Sequence, residues 1–251
     1  MGHIIAMGGG ELRDYETLPM DEQVVKATGK KQPNALFIPT ASGDAEGYCA
    51  TFHHVYGEKL GCQTDVLYLF QKRPTVAGIA EKIRWADCIY VGGGNTMRMV
   101  KLWRKLGVDR LLVEAHQQGT VLSGVSAGAI CWFDYGHSYS RSLAAAGDNK
   151  VWVSMRMRAL GLVPGIFCPH LNDTVLNSYA DFMQRMRRCA EVGIGVEDNA
   201  AIEVVDDTYR IITSQVGAKA YKFVRRRGGQ VEVEDLKPSD TFQPLAELLK
   251  K

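Results

Sequence analysis

Short runs of apolar residues, bounded by glycine or proline, recur along the first half of this chain. They lie at residues 3–7, 34–38, 64–69, 88–91 and 120–125. The runs are nearly continuous rather than alternating, which is typical of parallel strands buried on both faces of a sheet. The segments between them are long enough for helices, and segment 108–117 places Leu111, Leu112 and Ala115 on one face. This alternation predicts an α/β fold with a doubly wound, mostly parallel sheet.

The pattern changes after Gly195. Residues 201–205 alternate apolar and polar positions, as in a half-exposed strand. Asp206-Asp207 is typical of a turn, and residues 209–212 are expected to form a second strand that runs back beside the first. A second pair of runs, 219–224 and 230–234, flanks a segment with three arginines and two glycines. These pairs predict antiparallel hairpins, followed by a short helix within 241–251. We therefore expect residues 1–251 to form a single α/β domain with a small antiparallel extension at about 200–235.

Composition excludes several classes of protein. With 46% hydrophobic and 23% charged residues, the 251-residue chain is neither disordered nor fibrous, and a net charge of +2 is too small for a dedicated nucleic-acid binder. No apolar run is long enough to span a membrane, and the start of the chain lacks the charged region of a signal peptide. The six cysteines form no C-x-x-C pair, which favours buried thiols in a reducing compartment. A cytoplasmic protein is the expectation.

The strongest local signal is a G-x-S-x-G motif centred on Ser126. It follows an apolar strand and precedes a plausible helix, which is the context that a nucleophilic serine on a tight turn requires. The amide of Ala127 would then point to where an oxyanion forms. An ordinary strand–helix turn with a surface serine is the alternative.

A second glycine cluster, Gly92-Gly93-Gly94, also follows a strand and opens a helix. Successive glycines expose backbone N–H groups, which suits the binding of an anion or oxyanion. Gly93 and Asn95 are further candidates for substrate contacts. The cluster lacks the G-x-G-x-x-G spacing of a dinucleotide site. A third cluster, Gly8-Gly9-Gly10, ends the first strand, and the carboxyl ends of parallel strands are where such sheets bind ligands.

A serine nucleophile needs a base and a group that holds the base. His170 is the histidine that stands at the end of an apolar strand, and Glu197 follows the next one. The sequence order Ser126, His170, Glu197 therefore brings three reactive groups to one edge of the sheet.

These pieces together resemble peptidase family S51, which contains dipeptidase E (aspartyl dipeptidase) and cyanophycinase. The resemblance covers most of the chain up to about residue 205, and the segments that carry it are 8–11, 38–42, 91–96, 124–129, 169–170 and 195–201.

The resemblance implies a fold like that of class I glutamine amidotransferases (flavodoxin-like) and a Ser–His–Glu triad. Ser126 would attack the scissile carbonyl, His170 would transfer the proton and Glu197 would orient the imidazole. The amides of Gly94 and Ala127 would form the oxyanion hole, and no metal or cofactor is implied. Asp198 and Asp134 are rivals of Glu197 for the third position.

Substrate specificity does not follow from the resemblance. Dipeptidase E-like members cleave after an N-terminal aspartate and are expected to bind its carboxylate with an arginine after the histidine. Here no arginine follows His170 before Arg185. Arg141, Arg156 or Arg158 could supply the cation instead, although a surface role is the alternative for each.

The sequence thus predicts a serine exopeptidase that hydrolyses short peptides, with an acidic first residue as one expectation for the substrate. Neither a nucleic acid nor a membrane is expected as a partner, and the oligomeric state stays open, a homodimer included. The competing hypothesis is a non-catalytic α/β module that binds a small anionic ligand through its glycine turns.

Overall fold

Two β-sheets organise the chain. The computed structural model describes residues 2–72, 74–144 and 152–251, the side chains at 143 and 144 excepted. The strands of the described residues are β1 (His3–Met7), β2 (Asn34–Ile38), β3 (Gln63–Val66), β4 (Cys88–Val91), β5 (Val121–Val125), β6 (Phe133–Ser138), β7 (Met155–Arg158), β8 (Val163–Cys168), β9 (Gly193–Val196), β10 (Ala200–Val205), β11 (Thr208–Thr213), β12 (Ala220–Arg225), β13 (Val231–Leu236) and β14 (Gln243–Pro244).

The helices lie mainly between the strands of the first half. Those of the described residues are α1 (Leu18–Ala27), α2 (Glu46–Phe52), α3 (Val76–Trp85), α4 (Thr96–Leu106), α5 (Val108–Gln117), α6 (Ala127–Ile130), α7 (Ser140–Ala144), α8 (Ser178–Met186) and α9 (Leu245–Leu249). A π-helical segment, His53–Lys59, continues α2.

The main sheet has the strand order β14-β11-β10-β1-β5-β4-β2-β3. The five strands from β1 to β3 are mutually parallel, and β10, β11 and β14 extend the sheet with antiparallel pairs. The predicted α/β class and its mostly parallel core are confirmed. The run at 64–69 is shorter than expected as a strand, because the chain leaves the sheet after Val66 and the amides of Leu69, Phe70 and Gln71 bond to Oδ2 of Asp44.

A second sheet, β13-β12-β9-β8-β6-β7, is the largest difference from the sequence-based expectation. The segment after the G-x-S-x-G motif, for which the sequence predicts no strand, forms β6 and α7 as far as residue 144, and its residues 145–150 lie outside the described residues. Both predicted hairpins are present and antiparallel, but each is built into a sheet: β10–β11 into the main one and β12–β13 into the second.

Apolar side chains pack against both faces of the main sheet. On one face, Ile5 and Met7 of β1 share a cluster with Met20, Val24 and Phe52 of the helices. On the other face, a larger cluster joins the sheet to α3–α6 and to the second sheet. Burial on both faces is the reason why the strands read as continuous apolar runs.

The six cysteines are buried free thiols. No helix among the described residues combines the length and the apolar character that crossing a bilayer requires.

A buried carboxyl group lies in the helical layer. Asp21 of α1 is fully buried and accepts hydrogen bonds from Thr17 Oγ1 and Tyr56 Oη, each at 2.8 Å. Burial raises the pKa of Asp21 from 3.8 to about 7, although the two hydrogen bonds act in the opposite direction.

This raised pKa predicts a stability that falls with rising pH. Between pH 3.8 and about 7 the folded state keeps the proton of Asp21, whereas the unfolded state has lost it. Ionisation of Asp21 in the unfolded state therefore lowers the free energy of unfolding progressively across this window. Asp21→Asn, which keeps the shape without the charge, should remove this dependence. We expect the free energy of unfolding of the wild type to fall by about 2–3 kcal/mol relative to Asp21→Asn between pH 5 and pH 8. Urea unfolding at both pH values measures this difference, and equal pH dependence of the two proteins would contradict it.

Candidate active site

Ser126 stands between β5 and α6 in a strained backbone conformation, with φ of 55° and ψ of −114°. The two glycines of its motif explain how the turn closes. A Cβ at Gly124 would lie 2.5 Å from the carbonyl oxygen of Gly128, and one at Gly128 would lie 2.0 Å from that of Val91. The turn thus presses against β4, and a strained backbone that projects a serine is the geometry expected of a nucleophile.

The end of β1 connects three distant segments of the chain. The carbonyl of Met7 accepts a hydrogen bond from the amide of Ser126 at 3.2 Å, and that of Gly8 accepts one from His170 at 3.2 Å. The carbonyl of Gly9 accepts one from Asn199 at 3.1 Å. Ser126, His170 and the residues around Asn199 therefore meet at one edge of the sheet, as the sequence predicted.

His170 contacts a carboxylate. Its Nδ1 lies 2.6 Å from Oδ1 of Asp198, and both side chains are about one-third exposed. An ionised carboxylate can only accept, so the contact places the proton of a neutral imidazole on Nδ1. Nε2 is then left as the basic nitrogen.

Glu197 does not make this contact, which corrects the expected pairing. Its Oε2 accepts from the amide of Lys219 at 3.0 Å, and its Oε1 accepts from Tyr221 Oη at 3.4 Å. Burial raises the pKa of Glu197 above 4.5. Successive side chains at a strand end point to opposite sides, so Glu197 faces β12 while Asp198, which bridges to Gly9, faces His170. Asp134, the other rival, accepts from the amide of Gly165.

The second glycine cluster lies beside the serine. A Cβ at Gly93 would be 3.4 Å from Cβ of Ser126, and Gly94 and Ser126 line the same cavity. Gly94 has φ of 134°, and a Cβ there would lie 2.4 Å from the carbonyl of Ala41. The main chain of this loop thus runs close to Ser126 and to Ala127, the next residue in the sequence.

Asn95 is engaged elsewhere, in contrast to its expected contact with a substrate. Its Oδ1 caps α4 by accepting from the amide of Arg98 at 2.9 Å, and its Nδ2 donates to the carbonyl of Ser140 at 3.0 Å. Asn95 therefore holds α4 and the start of α7 in place.

Ser126 and His170 open onto one cavity of about 290 Å³. This volume is at the lower end of the roughly 300–1,000 Å³ typical of small-molecule sites. The side chains and glycine that line it are Gly94, Thr96, Ser126, Ile130, His137, Ser138, Tyr139, Trp152, Pro169, His170, Asp173 and Leu176.

Several of these wall residues were missed by the sequence analysis. His137 lies in β6, where the sequence predicts no strand, and it is 2% exposed. The aromatic and apolar residues at 133, 135 and 139 were the available signal for a strand there. No sequence motif marks Tyr139, Trp152 and Leu176 as wall residues, because the packing of separate segments brings them to the cavity.

The arginines proposed as substrate-binding cations do not line this cavity. Arg156 pairs with Glu191 and lies over the ring of Tyr135, with 3.6 Å from Cζ to the ring centroid. Arg158 lines a different cleft, and Arg141 is exposed on α7. Among the described residues, the lining contains neither lysine nor arginine.

Comparison with known proteins gives a consistent result. The model of peptidase family S51 matches residues 4–212. Uncharacterized peptidase YgaJ of Bacillus subtilis (strain 168) is 34% identical over 226 residues, which is 88% of this chain and 92% of that protein. Peptidase E of Streptomyces coelicolor is 29% identical over 137 residues, 55% of this chain and 51% of that protein.

Two solved structures have the same fold. The crystal structure of a peptidase from an acI-B1 Actinobacterium has a TM-score of 0.71 at 18% identity and covers 97% of each chain. That of a putative peptidase E from Listeria monocytogenes EGD-e has a TM-score of 0.63 at 21% identity, covering 85% of this chain and 98% of that one.

The pairing of His170 with Asp198 predicts the tautomer of the imidazole. In the wild type at a pH where the ring is neutral, the proton should reside on Nδ1. Asp198→Asn should shift the population toward the other tautomer, whereas Glu197→Gln should leave it unchanged. Long-range ¹H–¹⁵N NMR of histidine-labelled protein measures this distribution. A change in Glu197→Gln with none in Asp198→Asn would reverse the assignment.

Proposed function

This chain belongs to peptidase family S51, and on that premise we propose that it is a serine exopeptidase that hydrolyses short peptides through an acyl-enzyme. The observation that carries the proposal is that the strained Ser126 and His170 line one small cavity, while Asp198 contacts Nδ1 of the imidazole ring. This arrangement is that of a nucleophile, a base and an orienting carboxylate.

The proposed reaction has two steps. Oγ of Ser126 attacks the scissile carbonyl carbon, and its proton passes to Nε2 of His170. The oxyanion is stabilised by the amides of Gly94 and Ala127, and the C–N bond breaks as His170 protonates the leaving amine. Water then attacks the acyl-enzyme, gives a proton to His170 and releases the acid, and Ser126 regains its proton. Asp198, rather than Glu197, stabilises the imidazolium in both steps.

The size of the cavity supports short peptides as the substrates. The cavity is small, which suits a residue next to the scissile bond of a short peptide rather than a long chain. An acidic first residue, which the family resemblance suggested, finds no lysine or arginine in the described lining to pair with. We place the reaction in the cytoplasm on the basis of the six unpaired cysteines.

A non-catalytic module that binds an anion through its glycine turns is the second candidate. It accounts for the glycines but gives no role to the strained backbone of Ser126 or to the His170–Asp198 contact. The catalytic proposal uses all of these features.

Replacement of the nucleophile tests the proposed function directly. Ser126→Ala should fold normally and lose about 10³-fold or more in kcat on dipeptides, because the covalent step is abolished. A fluorophosphonate probe should label the wild type and leave Ser126→Ala unlabelled. Full activity of the variant would exclude the mechanism, and saturable anion binding without labelling of the wild type would favour the non-catalytic module.

The close contacts of Gly9 predict that it helps to position His170 and Asp198 for the same reaction. A Cβ at this residue would lie 1.7 Å from Oδ1 of Asp198 and 2.5 Å from Nδ1 of His170, so an alanine must push the pair apart. Gly9→Ala should therefore lower kcat by about 10²-fold or more with a smaller change in KM, since orientation of the base acts mainly in the transition state.

Gly47→Ala is the matched control for this change. Gly47 lies in α2, and a Cβ there would meet nothing within 4 Å. The control should keep full activity. If Gly9→Ala also kept full activity, with the tautomer of His170 unchanged by NMR, the positioning role would be wrong.

A further inference from the structure

The walls of the cavity around Ser126 indicate which kind of peptide residue the cavity accepts. Five wall residues present apolar or aromatic surface: Ile130, Tyr139, Trp152, Pro169 and Leu176. Apolar surface of this kind gains free energy by covering an apolar side chain and gives none to a charged one.

The hydroxyl groups of Thr96, Ser138 and Tyr139 in the wall already have partners. The hydroxyl of Ser138 lies 3.3 Å from that of Thr96 and 2.7 Å from that of Ser140. Tyr139 Oη donates to Oδ2 of Asp181 at 3.0 Å. A substrate carboxylate would have to displace these bonds in order to be bound.

Among the described wall residues, His137 is the remaining basic group apart from His170. It is buried, and its Nε2 lies 3.3 Å from Oδ2 of Asp181 without hydrogen-bond alignment. Burial lowers the pKa of His137, which favours the neutral ring near pH 7. His137 therefore does not supply the permanent positive charge that an acidic side chain needs.

Asp173 is the one carboxylate of the described lining. Its Oδ1 accepts from the amides of Val175 and Leu176 at 2.8 and 2.9 Å, which fixes the turn after His170. Its Oδ2 has no hydrogen-bond partner among the described residues. A negative charge in this position repels an acidic side chain and attracts an ammonium group.

We infer that this cavity binds the first residue of a peptide whose side chain is apolar or aromatic, and that Oδ2 of Asp173 pairs with the free α-ammonium group of that residue. The inference rests on the proposed function, since it names the substrate class of the same site. It accounts for the small volume, the apolar walls and the lone carboxylate together, and it gives a physical reason for exopeptidase action: an internal residue has no ammonium group to offer.

A set of dipeptides tests the side-chain preference. Wild-type enzyme should cleave Phe-Leu and Leu-Leu with kcat/KM about tenfold or more above that for Asp-Leu, because a carboxylate in this cavity stays unpaired. It should not cleave N-acetyl-Phe-Leu at a comparable rate. Preference for Asp-Leu would overturn the inference while leaving the proposed function intact.

Labelling of Ser126 by a fluorophosphonate distinguishes failure of this inference from failure of the proposed function. If Ser126 is labelled but neither Phe-Leu nor Leu-Leu is cleaved, this inference is wrong and the nucleophile stands. If Ser126 is not labelled and no dipeptide is cleaved, the proposed function falls, and this inference falls with it.

Asp173→Asn tests the ammonium contact with little risk to folding, because the amide oxygen can still accept from Val175 and Leu176. The variant should raise KM for Phe-Leu by about 10- to 100-fold, the range for a hydrogen bond to a charged group, and change kcat less. The rate of fluorophosphonate labelling, which needs no ammonium group, should stay the same. An unchanged KM, or an equal loss in labelling, would overturn the assignment of Asp173.

A charge reversal gives the complementary test. Leu176→Arg places a cation in the wall and should raise kcat/KM for Asp-Leu by about tenfold or more. Val175→Arg adds the same charge one residue away, on a side chain that is 81% exposed and outside the lining, and should give no such gain. Equal gains from both variants would mean that long-range attraction, not the cavity wall, governs the preference.

Discussion

Three consecutive carbonyl groups at the end of β1 are the constraint on which this site depends. Those of Met7, Gly8 and Gly9 accept hydrogen bonds from the amides of Ser126, His170 and Asn199, at 3.2, 3.2 and 3.1 Å. β1 is itself fixed, since it pairs with β5 on one side and with β10 on the other. Segments that are far apart in the sequence therefore take their positions from one buried strand, and the centre of the sheet sets the relative placement of serine and histidine.

This arrangement requires that main-chain segments approach each other closely and that some residues adopt strained backbone conformations. A Cβ at Gly8 would lie 2.2 Å from the carbonyl oxygen of Glu197, so the chain can pass there only with glycine. Ser126, His170 and Asn199 all have positive φ, at 55°, 49° and 64°. Such conformations cost on the order of 1–3 kcal/mol each, and they persist because the surrounding hydrogen bonds and packing leave no relaxed alternative. The strained backbone and the glycines are thus two consequences of bringing three distant chain segments to the end of one strand.

The sequence predicted those parts of the structure that local patterns determine. Continuous apolar runs gave the parallel strands, and the motif around Ser126 gave the strained turn, because both depend on neighbouring residues. The partner of His170 depends on the bridge between Gly9 and Asp198, which joins residues 189 positions apart and decides which of two adjacent carboxylates turns toward the ring. The second sheet was missed for a similar reason: β6 carries buried His137 and Ser138, whose polarity indicates a loop until their tertiary neighbours are known.

The groups proposed to react and the cavity walls come from different parts of the fold. Ser126, His170 and Asp198 follow the ends of central strands, where a displacement would disturb β1 and the sheets around it. The walls come from β6, from Trp152 and from the turn that Asp173 organises, which includes the partly buried Leu176. A substitution in that turn changes the shape or charge of the cavity without moving a strand. The proposed catalytic geometry is therefore compatible with different first residues, and this is why family membership alone establishes a peptidase while the substrate must be argued from the wall residues of this chain.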